Sequence, residues 1–482
     1  MHVLMAASEM VPYAKTGGLG DVLGALPRAL HRLGIEVSIV LPAYGSIDAE
    51  RFGLQRTDWT LAVPVSHRTV QANILRGELA AGVAVYCVAA PQYFARPFLY
   101  GTPDGPYPDN AERFAFFARA VLALAEHVGA PDVLHCHDWQ AALAPVFLRA
   151  DAARYPALAA ARTVMTIHNL AFQGLFWHFD WHLLNLDWKY FTPDALEFYG
   201  NINYLKGGIV CADAVTTVSP TYAREIQTPE LGEGLDGVLV ARRQTLTGIL
   251  NGVDYDDWSP ERDRAIATPY TVDDRGGKAA CKADLQAAMQ LPVDPRVPVI
   301  GIVSRLTDQK GLDLIEAIAA PLLRKRVQLV VLGSGEPRYE ELVQRLARSN
   351  PKRVAVRIAF DNVLAHKIEA GSDMFLMPSR YEPCGLNQMY SLRYGTIPIV
   401  RATGGLEDSI VHFDPRQGTG TGFKFAEYTP AALLACIDEA LRTYRQPKAW
   451  TTLVGNAMRA DFSWDRSAGA YAQLYRSVTG AA

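Results

Sequence analysis

The sequence has little that marks a secreted, membrane-bound or nucleic-acid-binding protein. Its first residues, Met-His-Val-Leu-Met-Ala-Ala-Ser, include neither a basic segment nor a long apolar one, so neither a signal peptide nor a transit-like leader is expected. No apolar run reaches the ~18 residues that a membrane span requires. Charge is balanced, with 47 Lys and Arg against 50 Asp and Glu, whereas general binders of nucleic acid or membrane surfaces need a basic excess. We therefore expect a soluble, cytoplasmic, bacterial protein with no nucleic-acid or membrane partner.

Cysteine pairs are also absent. The 6 cysteines include no C-x-x-C pair, which argues against a zinc ribbon or a thioredoxin-like site. Most of them lie within apolar runs, such as the run around Cys87. We expect them to be buried thiols in a reducing cytosol, with Cys384 as the exception.

The sequence does contain a regular alternation of short apolar runs with helix-like segments, which is typical of parallel α/β architecture. In the first half, helices are predicted at Asn110–His127 and Trp139–Ala150, and a third before Gly34 that is kinked or delayed by Pro27. The apolar runs predict strands at Val3–Ala7, Glu36–Leu41, Val83–Ala89, Asp132–Cys136, Thr163–Ile167 and Ala214–Val218.

The same alternation restarts in the second half, after a stretch rich in Asp, Pro, Gly and Arg at 254–296 that we interpret as a linker. Two doubly wound, Rossmann-like domains facing a central cleft are therefore expected, with ligands bound where the parallel strands end. Strands are predicted at Pro298–Ser304, Val327–Gly333, Val354–Ile358, Asp373–Met377 and Ile397–Val400, and helices at Asp313–Ala319, Pro337–Arg348, Pro430–Tyr444 and Asp465–Val478.

A glycine-rich turn follows the first predicted strand. Its sequence, Lys-Thr-Gly-Gly-Leu-Gly-Asp-Val from Lys15, places Gly17 and Gly18 where a strand turns into a helix. Adjacent glycines allow backbone amides to approach a phosphate, and a helix N-terminus favours its negative charge. The spacing matches neither the dinucleotide fingerprint nor the P-loop, so an ordinary tight turn is an equally valid interpretation.

Histidines mark the ends of two further strands. Alternation places His135 and His137 on one side of their strand, where with His168 and His178 they could bind a metal, or simply pack in the core. We favour packing, because no cluster of carboxylates and histidines with ligand spacing follows in the second half. Asp138, just beyond the strand, is expected to enter the cleft together with Trp139.

An aromatic-rich loop follows His168 and Asn169. Flat aromatic faces beside amides suit sugars, which offer apolar C–H faces and many hydroxyls. For Phe172 and Phe176 we nevertheless expect packing against the core.

The second half carries cations and a carboxylate at strand ends. Arg305 and Lys310 follow one strand and precede a helix, a position suited to gripping phosphate oxygens. Glu382 follows another strand, with the amides of Gly385 and Leu386 behind it at a helix start. The glycine-turn pattern recurs at 403–406, Thr-Gly-Gly-Leu.

Together these segments resemble the glycogen and starch synthases, a family of retaining glycosyltransferases with the GT-B fold. The segments that carry the resemblance occur in the family's order and span nearly the whole chain: Lys15–Val22, His135–Trp139, His168–Asn169, Tyr204–Gly208, Val218–Glu225, Asn251–Asp254, Arg305–Gly311, Glu382–Leu386 and Thr403–Leu406.

The resemblance implies both the organisation and the reaction. Residues 1–253 would form the catalytic, acceptor-side domain, 254–460 the donor-binding domain, and 461–482 a helix crossing back to the first. The implied reaction transfers glucose from ADP-glucose to the non-reducing end of an α-1,4-glucan, glycogen or a malto-oligosaccharide, with retention and release of ADP. No metal or other cofactor is implied.

The resemblance also assigns roles to residues. Arg305 and Lys310 would hold the diphosphate and stabilise its charge as it leaves, while Glu382 and His168 would surround the donor glucose, and Asp138 would lie near the reacting centre. No residue stands out as a nucleophile. Substrate contacts are implied for Lys15, Gly17, Gly18, Asp21, Trp139, Asn169, Asn251, Cys384, Gly385, Leu386, Thr403 and Gly404.

One position departs from the wider group of retaining GT-B enzymes. Many of them carry a second glutamate eight positions after the first, where it contacts the ribose, whereas this chain has Tyr390. Bacterial synthases similar to this chain share the tyrosine. Phe360, just after a predicted strand, is a candidate for stacking on adenine.

Three other functions are compatible with parts of the pattern. The chain could be a non-catalytic protein that binds α-glucan or a nucleotide sugar with the same fold, and the complete set of motifs argues against this. Metal-dependent hydrolysis would use His135 and His137, and a phosphorylase would carry pyridoxal phosphate.

Overall fold

The computed structural model describes residues 1–480 as two compact α/β units. The first unit comprises residues 1–252 together with the C-terminal segment that begins at Trp464, and the second comprises Val253–Ser463. Each unit has its own parallel sheet with hydrophobic cores against it. The predicted α/β class with two doubly wound sheets is thus confirmed.

Fourteen strands belong to the described part of the first unit. They are β1 His2–Ala6, β2 Glu36–Pro42, β3 Gln55–Val65, β4 Arg68–Ala80, β5 Val83–Ala89, β6 Gly101–Thr102, β7 Gly105–Pro106, β8 Val133–His137, β9 Arg162–Ile167, β10 Leu175–Trp177, β11 Glu197–Phe198, β12 Asn201–Asn203, β13 Ala214–Thr217 and β14 Leu246–Gly248.

Nine of these strands form one sheet in the order β14-β13-β9-β8-β1-β2-β5-β4-β3. All pairings are parallel up to β5, after which β4 and β3 add an antiparallel hairpin. This hairpin was not predicted, because its strands alternate between core-facing and exposed residues instead of forming continuous apolar runs. From β1 the chain adds β2 on one side and later adds β8 on the other side. The strand order therefore reverses between β1 and β8, and we call this point the sheet reversal.

Helices cover both faces of this sheet. They are α1 Gly18–Arg32, α2 Pro91–Phe94, α3 Asn110–His127, α4 Asp138–Ala141, α5 Leu143–Ala150, α6 Tyr204–Cys211, α7 Pro220–Glu225 and α8 Asp236–Ala241. Short 3₁₀ turns lie at Ala152–Arg154, Pro156–Leu158, His178–Leu184 and Trp188–Tyr190.

Pro27 was predicted to kink or delay the first helix. The helix is not delayed, because it starts directly at the glycine turn and continues through Pro27, which is buried. Proline removes a single intrahelical hydrogen bond, and the burial of the helix's apolar face against the sheet offsets that loss. The helix predicted at Trp139–Ala150 is divided in two at Ala142.

The second unit contains six strands in one parallel sheet. They are β15 Val299–Val303, β16 Gln328–Gly333, β17 Val354–Ile358, β18 Met374–Met377, β19 Ile397–Arg401 and β20 Phe423–Phe425. Their order is β17-β16-β15-β18-β19-β20, which numbered from the first strand is the 3-2-1-4-5-6 order of dinucleotide-binding folds. The reversal point lies between β15 and β18.

Eight helices surround this second sheet, and a 3₁₀ turn at Asp308–Lys310 precedes the second of them. They are α9 Gly276–Ala288, α10 Leu312–Leu323, α11 Pro337–Ser349, α12 Asn362–Gly371, α13 Asn387–Arg393, α14 Gly404–Ser409, α15 Pro430–Tyr444 and α16 Pro447–Arg459.

The predicted linker at 254–296 is instead part of this unit. Its helix α9 buries Cys281 and Leu285 in the core beside α12, and Lys282 forms an ion pair with Asp373 at 2.7 Å. The helix was missed because most of its apolar residues are alanines, which give only a weak apolar period.

The last helix, α17 Trp464–Thr479, belongs to the first unit. It packs against α1, Arg32 pairs with Asp465 at 2.6 Å, and the Ser467 hydroxyl donates to the carbonyl of Leu250 at 2.6 Å. Within residues 1–480, none of the helices combines the length and apolar composition needed to cross a bilayer.

Candidate active site

In both units most of the residues singled out from the sequence lie at the carboxyl ends of strands at or next to the point where the strand order reverses. In the first unit they follow β1, β8 and β9, and in the second they follow β15, β18 and β19. Ligands of open parallel sheets bind in the crevice at this point, because the loops diverge on either side of it. We call these two groups the first-unit site and the second-unit site.

Glu9 shapes the glycine turn of the first-unit site. Its carboxylate, almost fully buried, accepts hydrogen bonds from the Thr16 amide and hydroxyl, both at 2.6 Å, and from the Gly17 amide at 3.0 Å. The Tyr100 hydroxyl donates to it at 2.7 Å. Glu9 was not among the predicted site residues, although an acidic residue three positions after the first strand is a signal that could have revealed it.

The turn itself leaves room for a ligand. Gly17 caps α1 in an extended conformation, and a β-carbon added there would meet no atom within 4 Å. Lys15 lies on the same turn and forms an ion pair with Asp21 at 2.6 Å. These two predicted contact residues therefore restrict each other's side-chain position.

Asp138 connects the end of β8 to the end of β9. It adopts a positive φ of 55°, and its carboxylate accepts the His168 amide at 2.7 Å. Burial, together with a smaller effect of the nearby Glu9 carboxylate, raises the pKa of Asp138 to about 7. This pKa lets Asp138 exchange a proton near neutral pH, and its position aligns the backbone of His168.

Three histidines, His135, His137 and His168, lie in a row that ends next to the Asp138 carboxylate. The His137 Nδ1 lies 3.0 Å from the His168 Nε2, and the rings of His135 and His137 are 4.1 Å apart. His135 is bonded at both nitrogens, to Tyr475 at 2.8 Å and to Thr166 at 2.5 Å. Burial lowers the pKa of His135 and of His168 to about 3, so both rings are neutral.

The metal alternative receives no geometric support from this row, since hydroxyl groups occupy both nitrogens of His135. Within residues 1–480, nowhere do three or more His, Cys, Asp or Glu side chains gather as a metal site.

The aromatic residues near this site divide into packed and exposed groups. Trp139 packs edge-on against Phe114, with the ring centroids 4.8 Å apart, and its centroid is 5.6 Å from that of Phe176. It therefore lies at the edge of the hydrophobic core and is half-buried. The expected packing of Phe176 is correct, whereas Phe172 is exposed. The Asn169 side chain accepts the Ala171 amide at 3.1 Å and so holds this loop.

The second-unit site is centred on an ion pair. The Lys310 Nζ lies 2.5 Å from an oxygen of Glu382, and the Ser379 hydroxyl donates to the same oxygen at 3.0 Å. The glutamate is 5% exposed, and the lysine side chain is 17% exposed. A cation and a carboxylate thus lie side by side at the sheet reversal, where phosphate oxygens and sugar hydroxyls can each find a partner.

Arg305 lies on the same loop as Lys310, but its side chain is more exposed to solvent. It is exposed, and its guanidinium donates to the Gln309 side chain at 3.2 Å, while the Gln309 amide donates to the Tyr381 carbonyl at 3.3 Å. The strand-end loop therefore presents two cations, Lys310 held and Arg305 exposed.

Glycines bring the loops around Glu382 into backbone contact. Gly311 has φ +73°, and a β-carbon there would lie 2.1 Å from the Pro378 carbonyl. Gly404 has φ +45°, and a β-carbon there would lie 1.9 Å from the Glu382 carbonyl oxygen. The Gly405 amide donates to the carbonyls of Glu382 and Pro383, both at 3.2 Å. These contacts fix the glutamate's loop against the start of α14, where Thr403 is the buried N-cap.

The remaining predicted contacts are less accessible than expected. Cys384 is buried like most of the other cysteines, and its substrate contact stays a prediction, whereas Cys211, expected to be buried, is partly exposed. Gly385 has φ +68° and packs against the Gln388 side chain, and Leu386 caps α13. Asn251 lies buried in the first unit, beyond β14.

Comparison with known proteins agrees with this geometry. Residues 2–241 match the family described as starch synthase catalytic domain, and residues 287–452 match glycosyl transferases group 1. The glycogen synthase of Koribacter versatilis is 53% identical over 99% of this chain and 98% of that protein. The glycogen synthase of Geotalea daltonii is 45% identical over 99% of both chains.

Solved structures give the same result. The catalytic domain of starch synthase IV from Arabidopsis thaliana, solved bound to ADP and acarbose, is 34% identical with a TM-score of 0.92 over 99% of both chains. This chain belongs to the glycogen and starch synthase family. Sucrose-phosphate synthase from Thermosynechococcus elongatus shares the fold alone, with a TM-score of 0.62 and 19% identity over the full length of both chains.

Membership of the glycogen and starch synthase family confirms the resemblance seen in the motifs, the GT-B fold and the assignment as a glycosyltransferase of the glycogen synthase type. The binding-protein, hydrolase and phosphorylase alternatives are set aside on this ground. The individual residue roles remain predictions.

Tyr390 has a structural explanation. Its ring stacks on Trp258 at 4.0 Å with an angle of 1°, and the opposite face of Trp258 stacks on His366 at 3.8 Å. A carboxylate at position 390 would be buried against the face of Trp258, so the tyrosine serves packing here.

Proposed function

We propose that this enzyme transfers glucose from ADP-glucose to the non-reducing end of an α-1,4-glucan, such as glycogen or a malto-oligosaccharide, with retention of configuration and release of ADP. The observation that carries the proposal is the buried pair of Lys310 and Glu382 at the sheet reversal of the second unit. A nucleotide sugar carries phosphates next to a hydroxyl-rich ring, and this pair offers one partner to each.

The proposed chemistry depends on positive charge placed where the leaving diphosphate becomes anionic. Lys310 and Arg305 supply that charge from one loop, and donors of this kind contribute most when they are held in place before the reaction. Because two side chains perform this task, the proposed reaction needs no metal ion.

Glu382 is proposed to bind glucose hydroxyls and not to act as a nucleophile. One of its oxygens already accepts hydrogen bonds from Lys310 and Ser379, which reduces the nucleophilicity of that oxygen. We therefore favour attack of the acceptor from the same face that the diphosphate leaves, with the leaving phosphate taking the acceptor proton.

The first-unit site is proposed to serve the glucosyl unit. His168 and Asn169 would contact the sugar, with Asp138 near the reacting centre. The turn at Gly17 and Gly18, together with Lys15, would approach the donor, as the open space beside Gly17 allows.

Exposed aromatic side chains are the proposed surface for the glucan acceptor. Trp177 is 60% exposed, and its ring lies 4.4 Å from that of Phe179, which is also exposed. Adjacent exposed rings fit the apolar C–H faces of successive glucose units and are costly to leave in water without such a partner.

The adenine base is the least constrained part of the proposal. The relative from Arabidopsis thaliana was solved with ADP bound, and Phe360 of this chain is exposed just after β17, where it could stack on a purine. The cytoplasm is the proposed compartment, because all 6 cysteines are free thiols and thiols persist in a reducing environment.

A donor panel tests the proposal. Purified enzyme is given ADP-glucose or UDP-glucose with a malto-oligosaccharide acceptor, and both nucleotide release and the anomeric configuration of the new linkage are measured. We expect a higher kcat/KM with ADP-glucose and an α-1,4 product. A higher kcat/KM with UDP-glucose would overturn the donor assignment. Binding of ADP-glucose without nucleotide release, or a β-linked product, would overturn the transfer mechanism.

A further inference from the structure

His137 lies on β8 between two other histidines and has an unusual hydrogen-bond pattern. Its side chain is completely buried, with 0% of its surface exposed. Its Nδ1 is 3.0 Å from the Nε2 of His168, and its own Nε2 has no hydrogen-bond partner within residues 1–480. The family resemblance and the proposed reaction assign no role to His137.

The hydrogen bond between these two rings has a single proton. Burial lowers the pKa of both His137 and His168 below the ordinary histidine value, so each ring is neutral and carries one N–H. Either His137 donates from Nδ1 to His168, or His168 donates from Nε2 to His137. The choice decides where the remaining proton of each ring lies.

The unpartnered Nε2 of His137 separates the two arrangements. If His168 were the donor, the proton of His137 would be on Nε2, a completely buried N–H without an acceptor. If His137 is the donor, its Nε2 is unprotonated and is an acceptor without a donor. Buried N–H groups without partners are rarer in native proteins than unsatisfied acceptors, so the second arrangement is preferred.

The side chains around His137 offer no other hydrogen-bond partner within residues 1–480. The neighbouring ring of His135, 4.1 Å away, is engaged at both nitrogens by Thr166 and Tyr475. No hydrogen bond joins this ring to that of His137; the two rings pack against each other at an interplanar angle of 34°. Tyr475 comes from helix α17, and its hydroxyl is hydrogen-bonded to His135 alone among these three rings.

We propose that His137 is a positioning residue that holds His168 in the tautomer with its proton on Nδ1. The Nδ1 of His168 forms no hydrogen bond within residues 1–480, so it is the nitrogen available to a ligand. His168 then offers that ligand an N–H donor and not a lone pair. That the ligand is an oxygen of the transferred sugar rests on the proposed function; the tautomer does not.

The tautomer is tested on the protein without substrate. Histidine ring nitrogens are labelled with ¹⁵N, the His168 resonances are assigned by their loss in His168→Asn, and protonated and unprotonated nitrogens are distinguished by chemical shift. We expect a protonated Nδ1 and an unprotonated Nε2. The reverse assignment would overturn the proposal.

Two substitutions at 137 extend the test. His137→Asn places an amide nitrogen close to the position of Nδ1 and keeps a donor toward His168, whereas His137→Phe keeps a ring without a donor. The asparagine variant should retain the His168 tautomer and most of kcat. The phenylalanine variant should lose the tautomer preference and lower kcat by about 10²-fold, as loss of an aligned donor does, with a smaller change in KM. Retention of both properties in folded His137→Phe would overturn the proposal.

Tyr475→Phe is the matched control. It removes a buried hydroxyl from the same row but leaves the bond between His137 and His168 intact. Its kcat and its His168 spectrum should match those of the native enzyme, and urea midpoints for all variants separate loss of folding from loss of function. If no nucleotide sugar supports transfer, the proposed function fails, while the spectrum of the substrate-free protein still decides the tautomer.

Discussion

Replacing Lys310 with methionine separates two roles of one side chain. Methionine keeps most of the lysine's apolar stem but removes the ammonium that lies 2.5 Å from Glu382. The structure predicts one effect on catalysis, through the lost cation, and a second effect on stability, through the carboxylate left behind.

The catalytic effect follows from loss of a donor that stabilises the leaving diphosphate. Removal of one such donor typically lowers kcat by about 10²–10³, which corresponds to about 2.7–4 kcal/mol in the transition state. We expect Lys310→Met to show this loss with the donor saturating. An unchanged kcat would refute the role of Lys310.

The stability effect depends on how deeply the pair is buried. Breaking a buried ion pair costs about 3–5 kcal/mol, and leaving one buried polar group unpaired costs about 1–3 kcal/mol. Here Glu382 is 5% exposed and keeps the Ser379 hydroxyl, and the lysine side chain is 17% exposed. We therefore expect the unfolding free energy to fall by about 3 kcal/mol, where these two ranges meet.

Urea unfolding and steady-state kinetics measure the two effects in the same variants. Adding Glu382→Gln to Lys310→Met should restore part of the stability, because the unpaired charge is gone, but none of kcat. Lys325→Met is the control, since Lys325 forms a more exposed pair with Asp438 at 2.7 Å, and such pairs contribute about 0–1 kcal/mol. Equal stability losses at positions 310 and 325 would refute the assigned burial of the first pair.

Four further substitutions test other parts of the two sites. Gly17→Ala should leave urea stability unchanged, because no atom lies within 4 Å of the added β-carbon, yet lower kcat/KM through a clash with the donor; native kinetics would show that no ligand approaches Gly17. Glu9→Gln should lower kcat/KM by about 10–100-fold, since the charge-assisted bonds that set the turn contribute about 1.5–3 kcal/mol each, and a native value would remove Glu9 from the site. Asp138 has its pKa raised from 3.8 to about 7 in the folded state, so its stabilising contribution is complete below pH 3.8 and is lost as pH rises through about 7. The urea midpoint of Asp138→Asn should thus vary less with pH than that of the native enzyme between these values, and parallel curves would contradict the assigned burial. Trp177→Ala should raise the glycogen concentration needed for half-maximal rate without changing the KM for ADP-glucose, and an unchanged glycogen dependence would exclude this surface.

Much of the fold could be predicted because its signals are local. Asn110–His127, Val354–Ile358 and Pro430–Tyr444 have the predicted bounds, since each carries a clear apolar period or run. The positions of Arg305, Lys310 and Glu382 after strands were also readable, because loops that follow parallel strands are local features of the chain. Elements with mixed composition, such as the hairpin of β3 and β4 and the helix α9, were not predictable in this way.

Tertiary structure alone decided which of these residues act on one another. Lys310 and Glu382 are 72 positions apart, and their contact depends on β15 and β18 being neighbours in the sheet. Glu9 became a site residue only when its carboxylate was found to bind the glycine turn, and His137 only when its ring was found against His168. A local pattern specifies whether a segment is a strand or a helix and where it ends. Hydrogen bonds and burial between distant segments are determined by packing, and so are the proton positions and pKa values that depend on them.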